Sequence, residues 1–282
     1  MVSHRPHKNS AHLRRMNLRA KKSLGQHFLI DENLAKQIVD TVLLNDETNS
    51  IVEVGPGKGV LTKYLVVGVS PTIQMEKSFS CIEIDDRMVE HLQQKFPSLK
   101  IIHKDILELK FDEQFPEHFS LVGNFPYNIS SEILFLVLEN KNKIPLMVGM
   151  FQKEVAKRIT SGHGKKDYGI LSVLVQAHFN AQYLFDVPPE SFAPPPKVES
   201  GVIMLKRKEI NESIILDENY FIRVVKAAFN QRRKQLRNSL KDLLHYTGWR
   251  DEIQLNLRPE QLSVNDFILL ANNMFEKKII GK

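Results

Sequence analysis

The fold of this chain is decided around one short stretch, which reads Leu121-Val122-Gly123-Asn124-Phe125-Pro126-Tyr127-Asn128. Its first residues are typical of a buried strand. Pro126 cannot donate to a sheet ladder and biases Phe125 away from the helical region, so the strand ends there with unpaired carbonyls. An amide, these carbonyls and the Tyr127 ring suit a planar base that carries an exocyclic amine. The alternative is an ordinary strand-to-helix turn with a buried tyrosine.

Strand-like and helix-like runs alternate up to and including this stretch, and a glycine, acid or amide lies near the end of each strand. The four residues are Gly55, which opens a glycine-rich turn, then Glu83, Asp105 and Asn124. Open α/β sheets bind ligands at the carboxyl ends of their strands, where an acid typically holds ribose hydroxyls. The glycine turn alone is weak evidence, because neither a Walker pattern nor a full dinucleotide fingerprint follows it. Four such residues in succession predict a ligand cleft on a parallel sheet.

The spacing between the glycine turn and Glu83 is longer than usual, and we interpret residues 66–78 as an inserted loop. Asp85 is expected to cap the next helix. Asp31 is expected to cap the helix that contains Ile38 and Val42. His27 lacks the companion spacing of a metal ligand, so we interpret it as structural or pocket-lining.

Downstream, the chain is predicted to complete the sheet. Residues 145–151 predict a fifth strand and residues 170–179 a helix. Residues 181–187 and 201–206 can pair as an antiparallel edge. The proline-rich residues 188–198 are predicted to form a stiff connection that cannot join a ladder, with Phe192 either covering a pocket or packing on the domain.

The positive charge is placed unevenly in a chain of otherwise ordinary composition. The 282 residues are 42% hydrophobic with a net charge of +6, which allows one large domain or two unequal ones. Residues 1–25 hold seven Lys or Arg and no acid, as in an arm for a polyanion or a solvated tail. A second cluster, residues 232–237, lies in a segment of purely helical pattern and could grip phosphates or form a solvated face.

Other function classes are disfavoured by composition. No apolar run reaches the ~18 residues of a membrane span, and the N-terminus has no apolar secretion signal. The lone Cys81 excludes a disulfide framework and a cysteine-built metal site. We therefore expect a cytoplasmic protein that binds neither a membrane nor a metal.

Taken together, the motifs resemble those of the ribosomal RNA adenine N6-dimethyltransferase family, in the branch that modifies the small-subunit RNA. They follow the family's order over about residues 21–270. They are Leu24-Gly25-Gln26-His27-Phe28-Leu29, Glu53-Val54-Gly55-Pro56-Gly57, Glu83-Ile84-Asp85, Gly123-Asn124-Phe125-Pro126-Tyr127-Asn128-Ile129-Ser130, Gln152-Lys153-Glu154-Val155, Phe192-Ala193-Pro194-Pro195-Pro196-Lys197-Val198 and Asn230-Gln231-Arg232-Arg233-Lys234.

This resemblance implies an architecture and a reaction. The architecture is α/β, a Rossmann-like seven-stranded methyltransferase sheet with a small all-helical C-terminal domain. It divides the chain into a flexible basic arm (1–20), a catalytic domain (21–208) and a helical RNA-binding domain (209–282). The reaction is dimethylation, from S-adenosylmethionine and without a metal, of N6 of two adjacent adenosines near the 3' end of 16S ribosomal RNA. The partner would be the 30S particle during its maturation, and the protein is expected to be a monomer.

The resemblance also implies roles for individual residues. Those for the donor are His27 and Leu29 as lining residues, Gly55 at the methionine part, Glu83 at the ribose, Asp105 at the adenine and Asn124 where donor and target meet. The target base would be held by Asn124, Phe125, Pro126 and Tyr127. RNA phosphates would be held by Lys21, Lys22, Arg232, Arg233, Lys234 and Arg237. The family often has Asn in place of His27, and Leu or Ile in place of Phe125, a position expected to contribute its backbone.

Three rival functions stay open at this point. The nearest is the sister class that dimethylates large-subunit RNA, against which the Pro-Pro-Pro-Lys-Val run and the Arg232–Lys234 cluster argue. A second is a binding-only assembly or transcription factor that kept the fold, against which the Gly55, Glu83, Asp105 and Asn124 set argues. A DNA or small-amine methyltransferase is disfavoured by the basic helical segment.

Overall fold

The computed structural model describes residues 18–68, 77–115, 117–209, 214–245 and 253–280. Most of the predicted basic arm and residues 69–76 of the predicted inserted loop lie outside these ranges. The described strands are β1 (Phe28–Leu29), β2 (Ser50–Val54), β3 (Ser78–Glu83), β4 (Lys100–His103), β5 (Ser120–Asn124), β6 (Leu146–Gln152), β7 (Phe179–Val187), β8 (Phe192–Ala193) and β9 (Ser200–Arg207).

The described helices follow the strands and then dominate the C-terminal part. They are α1 (Glu32–Asn45), α2 (Thr62–Gly68), α3 (Asp86–Lys95), α4 (Phe111–Gln114), α5 (Ser130–Glu139), α6 (Lys153–Thr160), α7 (Ile170–Gln176), α8 (Glu218–Asn230), α9 (Leu236–Ser239), α10 (Lys241–His245) and α11 (Val264–Ile280). Short 3-10 helices cover Lys22–Leu24, Ile106–Glu108, Pro189–Ser191, Ile253–Asn256 and Pro259–Gln261.

Seven strands form one sheet in the order β4-β3-β2-β5-β6-β9-β7, which confirms the predicted fold class. The first five in this order are parallel, while β9 runs antiparallel to both β6 and β7. Val54 lies opposite both Ile82 and Gly123, so β2, β3 and β5 end at the same edge of the sheet. The register therefore brings Gly55, Glu83 and Asn124 to one place.

Both faces of the sheet are covered by apolar side chains. One cluster includes Val52, Phe119 and Phe151, and the cluster that contains residues of α1 includes Ile38 and Val148. The helices begin where the sequence indicated: Asp31 accepts the Asn33 and Leu34 N–H groups, and Asp85 accepts that of Arg87. Both predicted N-caps are confirmed.

A third apolar cluster lies among the C-terminal helices and extends into the part of the chain that precedes them. It joins Phe221, Phe267 and Met274 to Tyr168 and to Leu174 of α7. The described residues after Arg207 contain helices and no strand. No helix in the described part of the chain is both long and apolar enough to cross a bilayer.

Two predictions about residues 170–198 were wrong. The helix α7 ends at Gln176, and Phe179 already pairs with Arg207 as the first residue of β7. The proline-rich connection does join a ladder, because β8 pairs antiparallel with β1. The physical reason is that Phe192 and Ala193 keep their N–H groups between flanking prolines. Phe192 is 2% exposed and packs into the core with Leu29, so it is a packing residue.

Candidate active site

A cavity of about 270 Å³ opens where β2, β3 and β5 end. Every residue that the sequence assigned to the donor or to the target base lines it. They are His27, Leu29, Gly55, Glu83, Asp105, Asn124, Phe125, Pro126 and Tyr127. The tertiary structure thus gathers residues from five separate segments, although their individual roles stay predictions.

The glycine turn after β2 forms an open wall of this cavity. Gly55 has a φ of 64°, which favours glycine, and its N–H donates to the Ile82 carbonyl at 2.9 Å. A Cβ built on Gly55 would meet no atom within 4 Å, so the missing side chain leaves space for a ligand against the backbone. The turn has the form that a close approach to a bound molecule requires.

Glu83 is held in place at the end of β3 by backbone groups. Its Oε1 accepts the Ile84 and Asp85 N–H groups at 2.9 Å each, and its Oε2 accepts the Gly57 N–H at 3.1 Å. The side chain is buried, and burial raises the pKa of its carboxyl above the usual value against the effect of these three donors. Glu83 therefore presents a fixed acceptor beside the glycine turn.

Asn124 is oriented by a residue 97 positions earlier in the chain. Its Nδ2 donates to the His27 carbonyl oxygen at 2.9 Å. Because a carbonyl can only accept, the NH₂ group faces His27 and the Oδ1 atom is left to accept. On the far side of the cavity, Asp105 accepts the Leu107 N–H at 2.9 Å and caps the 3-10 helix there.

Phe125 anchors the turn that follows Asn124. Its ring is 1% exposed and meets the Phe151 ring edge-on, with 5.3 Å between centroids. Gly123 and Gly149 make room for it, since a Cβ on Gly123 would lie 2.8 Å from the Phe125 Cε1 atom. The expectation that this position contributes its backbone stays a prediction, and the structure shows in addition that its ring fixes the turn to the sheet.

The Tyr127 ring is held on one face and at its hydroxyl. The His27 ring stacks on it with a centroid separation of 5.7 Å and an interplanar angle of 25°. The Tyr127 hydroxyl makes a short hydrogen bond with the Ser200 hydroxyl, which is fully buried at the start of β9. His27 Nδ1 lies 2.8 Å from the Pro194 carbonyl, which can only accept, so the ring carries its proton on Nδ1. Tyr127 is half-buried and also lines the cavity, where a ligand can reach it.

Sequence reasoning missed three residues around the cavity. Glu53 lines the cavity at 1% exposure, and burial raises the pKa of its carboxyl from 4.5 to about 7. Ser200 and Gln26 were not singled out, although both bind residues at the site. An acid within the apolar run of β2 is a signal that could have indicated Glu53. Ser200 and Gln26 carry no comparable local signal.

The predicted phosphate-binding residues are found outside the cavity, in two settings. Lys21 pairs with Asp85 at 3.0 Å, while Lys22 is exposed. Arg232 is tied to its surroundings, 3.8 Å from Glu260 and 3.3 Å from the Lys165 carbonyl. The remaining three, Arg233, Lys234 and Arg237, are exposed.

Searches of known proteins give a consistent result. Residues 17–275 match the family described as ribosomal RNA adenine dimethylase. The chain is 47% identical over 262 residues to ribosomal RNA small subunit methyltransferase A of Cytophaga hutchinsonii, covering 92% of this chain and 99% of that protein. It is 48% identical over 260 residues to the protein of the same name from Flavobacterium johnsoniae, covering 91% and 96%.

Two solved structures share the fold. A dimethyladenosine transferase from Plasmodium falciparum has a TM-score of 0.73 at 22% identity, covering 89% of this chain and 98% of that one. The 23S rRNA methyltransferase ErmE has a TM-score of 0.63 at 24% identity, covering 89% and 99%. Both confirm the sheet with its C-terminal helical part.

Proposed function

This chain belongs to the ribosomal RNA adenine dimethylase family, and on that premise we propose how its cavity performs the reaction. It is an S-adenosylmethionine-dependent ribosomal RNA methyltransferase. The observation that carries the proposal is the Asn124 amide, whose Oδ1 atom is turned to accept by the bond from its Nδ2 to the His27 carbonyl. The proposed products are two adjacent N6,N6-dimethyladenosines near the 3' end of 16S ribosomal RNA.

The lining residues suit the donor. The open space at Gly55 accommodates a ligand against the backbone, and Glu83 offers a buried carboxylate for ribose hydroxyls. Asp105, His27 and Leu29 also line the cavity. When bound, S-adenosylmethionine supplies an electrophilic methyl group on its sulfonium centre.

The turn formed by residues 124–127, here called the Asn-Phe-Pro-Tyr corner, is proposed to make the target nitrogen a better nucleophile. The lone pair of adenine N6 is delocalised into the ring, so the free amine is a poor nucleophile. Asn124 Oδ1 would accept one N6–H and the Phe125 carbonyl the other, which favours a pyramidal nitrogen. We assign Phe125 because the Pro126 carbonyl already accepts the Ile129 N–H at 3.2 Å. Positioning of this kind can lower a barrier by several kcal/mol, up to ~7–11 in the best cases.

Tyr127 is proposed to hold the extruded base on the face that His27 leaves open. The same face must accept a monomethylated base for the second transfer. No side chain needs to act as a general base, because the nitrogen becomes far more acidic once it is methylated.

The partner and the setting are proposed from the relatives. Their name refers to the small ribosomal subunit, and they cover almost the whole chain at 47–48% identity. We therefore assign the substrate to the 30S particle rather than to free large-subunit RNA, and place the reaction in the cytoplasm with a monomeric enzyme. The boundary between a catalytic domain (21–208) and a helical RNA-binding domain (209–282) belongs to the same proposal.

The substitution Asn124→Ala tests the assignment of the corner. We expect donor binding to be retained and turnover to fall by at least about 100-fold, because the acceptor for N6 is lost. The measurements are a titration with S-adenosylhomocysteine and transfer of labelled methyl groups to immature 30S particles. Near-normal turnover would remove Asn124 from the mechanism.

Two further measurements distinguish the proposed function from its rivals. Methyl transfer to protein-free large-subunit RNA but not to 30S particles would favour the sister enzyme class. Failure of the unmodified protein to bind S-adenosylhomocysteine would favour a protein that kept the fold without the chemistry.

A further inference from the structure

A short segment upstream of the sheet crosses the mouth of the donor cavity. Residues 21–29, here called the donor strap, contribute seven consecutive lining positions from Ser23 to Leu29. Gly25 turns the strap with a φ of 61°, and a Cβ built on it would clash with the Asn128 side chain, so the strap passes close to residue 128. The strap therefore forms one wall of the cavity although it belongs to no strand of the large sheet.

The downstream end of the donor strap is fixed by backbone pairing. Phe28 and Leu29 form β1, which pairs with Phe192 and Ala193, and the Ile30 N–H donates to the Ser191 carbonyl at 2.8 Å. Phe28 and Leu29 are 8% and 4% exposed. This end is held as firmly as the core around it.

The upstream end is fixed in a different way, by one buried carboxylate. Asp85 Oδ1 accepts the Lys21 ammonium at 3.0 Å, and Asp85 Oδ2 accepts the Gln26 Nε2 at 3.1 Å. Gln26 in turn accepts the Lys21 backbone N–H at 2.9 Å. Arg87 also binds Asp85, at 2.5 Å, and donates to the Arg19 carbonyl at 3.1 Å.

Because the Asp85 carboxylate is buried, it holds the upstream end of the strap through the groups that bind it. The Asp85 side chain is 0% exposed while that of Lys21 is 42% exposed. The Arg87 guanidinium, with help from Lys21 and Gln26, holds the pKa of the Asp85 carboxyl well below its usual range. A buried charge needs its partners, so the strap end that carries Lys21 and Gln26 is drawn to the end of β3, two residues from Glu83.

We propose that Lys21 and Asp85 are positioning residues for donor binding, which act by fastening the upstream end of the donor strap over the cavity. This inference rests on the proposed function, because it takes the cavity to be the donor site. It also gives different roles to two adjacent lysines, Lys21 and Lys22, which the sequence analysis both assigned to RNA phosphates. Lys21 serves the donor, whereas Lys22, which is exposed, stays available for RNA.

The test compares Lys21→Met with Lys22→Met in a titration with S-adenosylhomocysteine and no RNA. The two variants remove the same charge at neighbouring positions. We expect Lys21→Met to bind about fivefold more weakly, as for loss of a partly buried ion pair, and Lys21→Arg to restore most of the affinity. Lys22→Met should bind like the unmodified protein. Equal affinities for Lys21→Met and the unmodified protein would overturn the proposal.

A second measurement distinguishes positioning from general stability. Hydrogen exchange of the peptide that contains residues 21–29 should accelerate in Lys21→Met, while the midpoint of thermal unfolding changes little because Arg87 still pairs with the buried Asp85 carboxylate. Unchanged exchange in the strap would contradict the proposed attachment.

Asp85→Asn completes the test, since asparagine can still cap α3 but carries no charge. If Lys21 and Asp85 act through one contact, the double variant Lys21→Met/Asp85→Asn loses no more affinity for S-adenosylhomocysteine than the single variant that loses more. Additive losses would refute that shared contact. If the unmodified protein binds no S-adenosylhomocysteine, the proposed function itself fails, which is a distinguishable result.

Discussion

At the scale of single residues, Glu53 is a buried carboxyl group that lines the cavity. It accepts the Thr62 hydroxyl at 2.7 Å and is 1% exposed. Burial raises its pKa from 4.5 to about 7. The folded protein thus holds a proton between these pH values that the unfolded chain has released. Stability therefore falls as the pH rises from about 4.5 to 7 and then levels off.

The substitution Glu53→Gln is expected to remove the fall in stability between about pH 4.5 and 7. Glutamine is neutral and can still accept the Thr62 hydroxyl, so the variant should gain up to about 3 kcal/mol in free energy of unfolding over the unmodified protein at pH 8. The gain should shrink towards zero near pH 4.5. Chemical denaturation of both proteins across this range measures it, and parallel pH profiles would show that Glu53 does not titrate as described.

At the scale of elements, β5 and β6 together hold the turn that is proposed to bind the target base. Phe125 extends from the end of β5 over two glycines, Gly123 within β5 and Gly149 within β6. These two glycines accommodate a phenyl ring at a position where the family resemblance led us to expect an aliphatic residue. The ring occupies space that side chains at these two strand positions would otherwise fill.

Gly149→Ala is expected to disturb both the sheet and the corner. A Cβ there would lie well inside van der Waals distance of the Phe125 ring, and that ring is 1% exposed and therefore has little room to move. Overpacking of this kind costs about 1–3 kcal/mol of stability, and displacement of the Phe125 carbonyl should lower turnover beyond what the lost stability explains.

The matched control is Gly162→Ala, where a Cβ would meet no atom within 4 Å. Thermal unfolding and single-turnover methylation of both variants provide the comparison. If Gly149→Ala keeps the activity and stability of Gly162→Ala, the ring of Phe125 is not confined by β6.

At the scale of the whole molecule, basic residues from two distant segments lie on one connected surface. The Gly164 N–H donates to the Glu260 carbonyl at 2.7 Å, and Arg232 donates to the Lys165 carbonyl at 3.3 Å. The first bond joins a loop that carries exposed Lys165 and Lys166 to the 3-10 helix Pro259–Gln261, and the second joins the same loop to the turn after α8. Arg232 is thereby a structural link, whereas its neighbours Arg233 and Lys234 remain exposed.

The double variant Arg233→Ala/Lys234→Ala is expected to bind RNA less tightly and with a weaker dependence on salt. Each lost phosphate contact should reduce the slope of log affinity against log salt by roughly 0.7–0.9. Lys100→Ala is the control, because Lys100 begins β4 at the end of the sheet opposite the cavity. Equal slopes for all three proteins would show that the turn after α8 does not contact phosphates.

The sequence by itself determined the order of strands and helices and the residues at the carboxyl ends of the strands. These features are local, since periodicity, caps and a proline turn act over a few residues. Asp31, Asp85, Glu83 and Asn124 were all found where their local patterns indicated.

Only the tertiary structure decided how the site is held together. The His27 carbonyl orients Asn124, Ser200 holds Tyr127, and Lys21 binds Asp85, across separations of 97, 73 and 64 residues. Such contacts depend on how distant segments pack, and neither partner carries a local pattern that names the other. The chain therefore encodes its strand ends locally, while the orientation of the groups at those ends arises only when the fold brings the segments together.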